Sequence, residues 1–132
     1  MGEFFLQIFN DSNFIYSVII EDDNRVAYAY LLEDDIVIGD VWLYNQTEAP
    51  SNQEWKEQDM PFLNPLKFIK TDISILPINY ANEVSCKWCE DIDGKVEVVI
   101  SIRNSIIAKI SSGSNPGWST IVSQDGPLAK VY

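Results

Sequence analysis

The chain has 132 residues, 46% of them hydrophobic, with twenty Asp and Glu against nine Lys and Arg and no histidine, for a net charge of −11. That length fits a single domain, residues 1–132, around one core, and four Trp, six Tyr and six Phe supply apolar area that a disordered segment lacks. So acidic a surface repels phosphate backbones and anionic lipid, which argues against nucleic-acid and membrane binding and favours a basic protein partner.

The N-terminal run Met1-Gly2-Glu3-Phe4-Phe5-Leu6 places an acid where a signal peptide needs a basic region. No stretch approaches the roughly 18 apolar residues that cross a bilayer. Two cysteines are too few for a disulfide scaffold and fit a reducing compartment, so a cytoplasmic location is expected.

In chain order, strands are predicted over Phe4–Phe9, Phe14–Glu21, Arg25–Leu32 and Ile36–Tyr44, separated by the turns Asn10-Asp11-Ser12-Asn13, Asp22-Asp23-Asn24 and Glu33-Asp34-Asp35. In the third strand Val26, Tyr28, Tyr30 and Leu32 share one face and Ala27, Ala29 and Leu31 the other, which marks a central strand covered on both sides. Gly39 interrupts the fourth and signals a bulge or a close backbone approach.

Residues 45–65 lose the period of two and read as a long connection. Ser51 and Glu54 have capping-box spacing, and Asn64-Pro65 reads as the cap and first position of a short helix through Leu66, Phe68 and Ile69. Strands resume over Asp72–Leu76, Glu83–Glu90, Lys95–Arg103 and Ser105–Ser111. Val96, Val98, Ile100 and Ile102 alternate with Glu97, Val99, Ser101 and Arg103, as in a sheet with one buried face. Asn115-Pro116, followed by Trp118, Ile121 and Val122 and stopped by Gly126, predicts another short helix, and residues 127–132 a last strand or extended tail. The expected fold is mainly β (β-rich α+β): antiparallel meander sheets, sandwich or half-barrel like, with one to three short helices.

Catalytic motifs are scarce. Without imidazole, Ser-His-Asp and Cys-His arrangements cannot be built, and no glycine cluster with a Lys-Ser or Lys-Thr pair offers a phosphate cradle. Cys86-x-x-Cys89 lies in a predicted strand, where residues three apart point to opposite faces, so two ordinary thiols are expected rather than a redox pair or a zinc site. The acid clusters Glu21-Asp22-Asp23, Glu33-Asp34-Asp35 and Glu90-Asp91-x-Asp93 fall on predicted turns, where aspartates bond locally and face solvent. Asp91-Ile92-Asp93-Gly94 imitates part of a calcium loop, but Ile102 stands where that loop needs Glu. No catalytic, metal or cofactor-binding residue is therefore assigned, and no cofactor is expected.

The charge is uneven: residues 1–50 hold ten acids and one base, Arg25, whereas residues 51–132 hold ten acids and eight bases. Trp42 and Trp88 read as core, whereas Trp55, among Glu54, Lys56, Glu57 and Asp59, reads as an aromatic anchor in an acidic loop. Glu33, Asp34, Asp35, Glu54, Trp55, Glu57 and Asp59 are accordingly the candidate partner-binding residues.

In overall character, small, acidic, β-rich and without catalytic equipment, the chain resembles the immunity proteins that bacteria pair with toxins of contact-dependent or polymorphic systems. The strings Asp40-Val41-Trp42-Leu43-Tyr44-Asn45, Pro116-Gly117-Trp118-Ser119 and Gly126-Pro127-Leu128-Ala129 also resemble an uncharacterised bacterial family with no attached activity. The first resemblance implies a non-enzymatic protein that neutralises a cognate toxin domain, such as a nuclease, by stoichiometric binding. An alternative is a small-molecule or carbohydrate-binding β domain, including a hydrolase working through two carboxylates in an aromatic pocket. A third is a scaffold pairing through an exposed edge strand.

Overall fold

The computed structural model describes residues 3–51 and 61–132. Two sheets make the fold. The first is an antiparallel meander of β1 (Phe4–Phe9), β2 (Tyr16–Asp22), β3 (Val26–Glu33) and β4 (Ile36–Asn45), in that spatial order. The second runs β5 (Val84–Glu90), β6 (Val96–Ile102), β7 (Ser105–Ser111), β8 (Trp118–Ser119) and β9 (Lys130–Val131), antiparallel except for the parallel β8–β9 pair. Helical structure among the described residues is confined to 3-10 turns at Leu66–Phe68 and Ala81–Glu83.

Alternation explains the packing. Val18 and Ile20 of β2, Ala27, Ala29 and Leu31 of β3, and Val41 of β4 are buried on one face of the first sheet. They join Val96, Val98, Ile100 and Ile102 of β6 and Ile110 of β7 in one core. Each fully buried Val, Leu or Ile contributes about 1.5–3 kcal/mol relative to exposure. β3 is also covered on its second face, where Tyr28, Leu32 and the neighbouring Trp42 are buried.

The sheets are joined along β4. Its outer edge does not face solvent as a bare ladder: Gly113 N–H donates to the Ile38 carbonyl at 2.7 Å and Asp40 N–H to Ser114 at 3.1 Å. Gly117 N–H donates to Asp40 at 2.7 Å and Trp42 N–H to Leu128 at 3.0 Å. The glycine anticipated as a bulge or close approach serves both purposes. The register slips between Leu31–Gly39 and Leu32–Val37, leaving Ile38 as the extra residue. A Cβ on Gly39 would lie 2.6 Å from Ile110 Cγ2 and 3.0 Å from the Ser111 carbonyl oxygen.

Two expected elements are absent. The Asn115–Pro116 segment forms no helix, because its backbone is consumed by non-local pairing: Trp118 and Ser119 pair with Lys109 and Ala108, and Thr120 N–H donates to Ile107. Asp72–Leu76 joins no sheet; Arg103 ties down its end, donating to the Leu76 and Pro77 carbonyls at 3.0 and 2.6 Å. Leu66–Phe68 does turn as Asn64-Pro65 predicts, yet the Asn64 side chain caps nothing: it is 1% exposed, and neither of its polar atoms has a partner. The Ser51–Glu54 spacing leads into residues outside those described.

Replacing Gly39 by Ala should cost about 1–3 kcal/mol, since both the Ile110 side chain and the Ser111 backbone must give way. Urea denaturation measures this, and an unchanged midpoint would show that the two sheets do not approach there so closely.

Candidate functional site

The antiparallel meander sends its turns to alternate ends. The β1–β2 loop and the β3–β4 turn share one end, and Asp34 N–H donates to the Ile15 carbonyl at 2.8 Å to join them. The β2–β3 turn lies at the other end, beside Asn45. Glu33, Asp34 and Asp35 therefore share no surface with Asp22 and Asp23. Asp34 and Asp35 take φ of 51° and 68°, which Asp and Asn tolerate better than most residues, and both are exposed.

A second acidic turn reaches the same end from the other sheet. A hollow of about 250 Å³ separates loop residues Asn10, Asn13 and Tyr16 from Trp88, Glu90 and Gly94 of the β5–β6 hairpin. Asp91 folds that hairpin's turn, its Oδ1 accepting from the backbone N–H groups of Asp93 and Lys95 at 2.9 Å each. The hairpin that carries Glu90, Asp91 and Asp93 thus flanks the same loop as the turn that carries Glu33, Asp34 and Asp35. Apolar side chains stand exposed among these acids: Phe14 at 71%, Ile36 at 66% and Ile92 at 99%. The remaining predicted binding residues, Glu54, Trp55, Glu57 and Asp59, lie outside the described residues.

The first acid cluster departs from the turn reading. Asp23 behaves as expected, its Oδ1 accepting from Arg25 and Val26 N–H at 2.9 Å each. Asp22 does not: it is 1% exposed at the end of β2. Its carboxylate accepts from the Tyr44 hydroxyl at 2.7 Å, Gln46 Nε2 at 2.6 Å and Asn24 N–H at 2.9 Å. Tyr44 in turn accepts from Ile78 N–H at 3.0 Å, and burial with the Asp22 contact holds its phenol far above the usual tyrosine range. This network is structural, tying the 72–83 connection to the first sheet. Alternation offered a signal, since Asp22 follows Val18 and Ile20 at a spacing of two.

The cysteines are free. Cys86 is half-buried and Cys89 exposed, three residues apart along β5. Burial pushes the Cys86 thiol up to about 12, and slight burial with neighbouring Glu97 raises Cys89, so neither is an activated thiolate near neutral pH. Trp42 is core as expected, whereas Trp88 is only partly buried at the rim. Among the described residues, no group of three or more His, Cys, Asp or Glu converges on a metal-sized site, and no helix is long and apolar enough to cross a membrane.

An aromatic hollow also exists on the outer face of the first sheet, and composition gave no hint of its location. Tyr28 and Tyr30 stack, ring centroids 6.2 Å apart and planes within 16°. Asp40, directly across from Tyr30 in the register, shares their face. Asn115, with its NH2 turned toward Asp40, donates to both carboxylate oxygens at 3.0 Å. Burial raises the Asp40 carboxyl above its ordinary range, and burial followed by Glu21, Asp40 and Asp23 pushes the Tyr30 phenol up to about 12.

No family model, curated protein or solved structure matches the chain.

Changing Tyr44 to Phe keeps the ring but removes the hydroxyl between Asp22 and Ile78. The loss should be about 1–3 kcal/mol for each buried group left unpaired. Denaturant unfolding at neutral pH reads it, and a change below about 0.5 kcal/mol would mean that solvent reaches Asp22.

Proposed function

We propose that this chain is a stoichiometric protein binder that neutralises a basic partner, most simply a cognate toxin domain, in the manner of an immunity protein. One observation carries the reading: the Glu33–Asp35 and Glu90–Asp93 turns, from different sheets, flank one loop, with Phe14, Ile36 and Ile92 exposed among them. Carboxylates in such an array steer a cationic partner and fix its orientation, while desolvated apolar side chains supply most of the affinity. Neither set suffices alone, because exposed ion pairs contribute little and isolated apolar side chains are common on any surface.

Binding at this end uses no proton transfer, which suits a surface of solvated carboxylates without imidazole. The turns also present their charges at little backbone cost. Asp91 is held by its own turn, and Asp34 and Asp35 occupy conformations that Asp and Asn favour. The array is thus fixed before the partner arrives, which limits the entropy lost on association.

The deciding experiment is co-expression with the polypeptide encoded immediately upstream, scored for growth rescue and a 1:1 complex. Asp34→Asn/Asp35→Asn removes two charges without straining the turn and should slow association by about ten-fold or more at low salt. Glu3→Gln/Glu48→Gln, at the opposite end, should change it by less than about two-fold. Equal effects of the two pairs, or failure to rescue with no complex formed, would contradict the proposal.

A further inference from the structure

The hollow on the outer face of the first sheet has a chemistry of its own. Its aromatic lining is the stacked pair Tyr28 and Tyr30, of which Tyr28 is buried and Tyr30 half-buried, its polar wall Asp40 with Asn115, and its apolar wall Phe62 and Leu128. The volume is about 200 Å³, below the roughly 300–1,000 Å³ of most drug-sized or sugar sites and suited to one group the size of a side chain. An adjoining hollow shares Tyr30 and adds Glu21 and Asp23.

The local charge is negative. Asp40, Glu21 and Asp23 act on the Tyr30 ring, and none of the described lining residues is basic. Arg25, a nearby cation, is engaged with the Asp23 carboxylate at 3.7 Å and with the Pro61 carbonyl. The Tyr28 hydroxyl already donates to the Phe62 carbonyl at 2.6 Å, so that proton is committed within the wall rather than offered to a ligand. Asn115 spends its NH2 on Asp40 as well, leaving the other carboxylate lone pairs for an incoming donor.

We propose that this hollow binds an alkylguanidinium cation, stacked on the half-exposed Tyr30 of the Tyr28–Tyr30 pair with its N–H groups directed at Asp40. Aromatic faces attract cations through their quadrupole, and guanidinium is planar and weakly hydrated, with a fork that matches a carboxylate. A compact ammonium would satisfy the charge but not the flat ring face of Tyr30. The site lies apart from the acidic end, so the inference does not rest on the toxin-binding reading.

The test titrates n-butylguanidinium into the full chain and follows amide chemical shifts, with n-butylurea as the planar uncharged control. Saturable shifts should centre on Tyr28, Tyr30, Asp40 and Asn115, and butylurea should bind at least about ten-fold more weakly. Asp40→Asn and Tyr30→Leu should each weaken binding by about ten-fold or more, whereas Tyr30→Phe, which keeps the ring face, should stay within about two-fold. A blocked Gly-Arg-Gly peptide separates the sources of the cation. Binding at least about five-fold tighter than butylguanidinium assigns the hollow to an arginine side chain of a partner, and equal or weaker binding to a small free guanidine. Absence of saturable shifts at these residues, equal binding of butylurea, or wild-type binding by folded Asp40→Asn would overturn the proposal. The urea comparison uses the unaltered chain and stands even if a variant fails to fold.

Discussion

Everything in this molecule depends on the seam along β4. A strand at the edge of a four-stranded meander would normally leave a row of unpaired N–H and C=O groups open to another chain. Here the backbone at Ile38, Asp40 and Trp42 is instead paired with residues 113–117 and Leu128, which closes the first sheet against the second. The absence of a Cβ at Gly39 lets Ile110 and Ser111 come near enough for that pairing. Because the seam fixes one sheet on the other, it also brings the Glu33–Asp35 turn and the β5–β6 hairpin around one loop. It sets Asn115 against Asp40 as well.

The aspartates of the shared end differ in environment from Asp22 and Asp40. Those at the shared end are solvated and act through their summed field rather than through any one pair. Asp22 is buried and Asp40 half-buried. Asp22 is compensated by three donors and so fastens the structure. Asp40 keeps a carboxyl raised by burial with one amide beside it, an arrangement that leaves it favourably disposed to a further cationic partner.

Local pattern made most of the fold legible. Phe4–Phe9 and Ser105–Ser111 form strands with the expected bounds, and the alternation from Val96 to Ile102 matches a buried face to the residue. Failures came where distant pairing outweighs local preference. Trp118, Ile121 and Val122 have helical spacing, but the neighbouring backbone is bound to Lys109, Ala108 and Ile107. Asp72–Leu76 has strand composition but joins no sheet, and Arg103 holds its end through the Leu76 and Pro77 carbonyls. The acid turns were readable one at a time; that two belong to one end depends on how the sheets meet. The Tyr28–Tyr30–Asp40 hollow needed both the register of β3 on β4 and the return of residues 115 and 128, and neither is encoded in a local motif.

Amide hydrogen exchange tests the seam most directly. Asp40, Trp42, Gly113 and Gly117 donate the bonds that join the sheets, whereas Ala29 and Leu31 lie in the central strand β3. If the seam is part of the cooperative core, all six amides exchange only on global unfolding, with the same opening free energy. Exchange at the four seam amides about a hundred-fold or more faster than at Ala29 and Leu31 would show that the sheets separate while each stays folded, and would contradict the account.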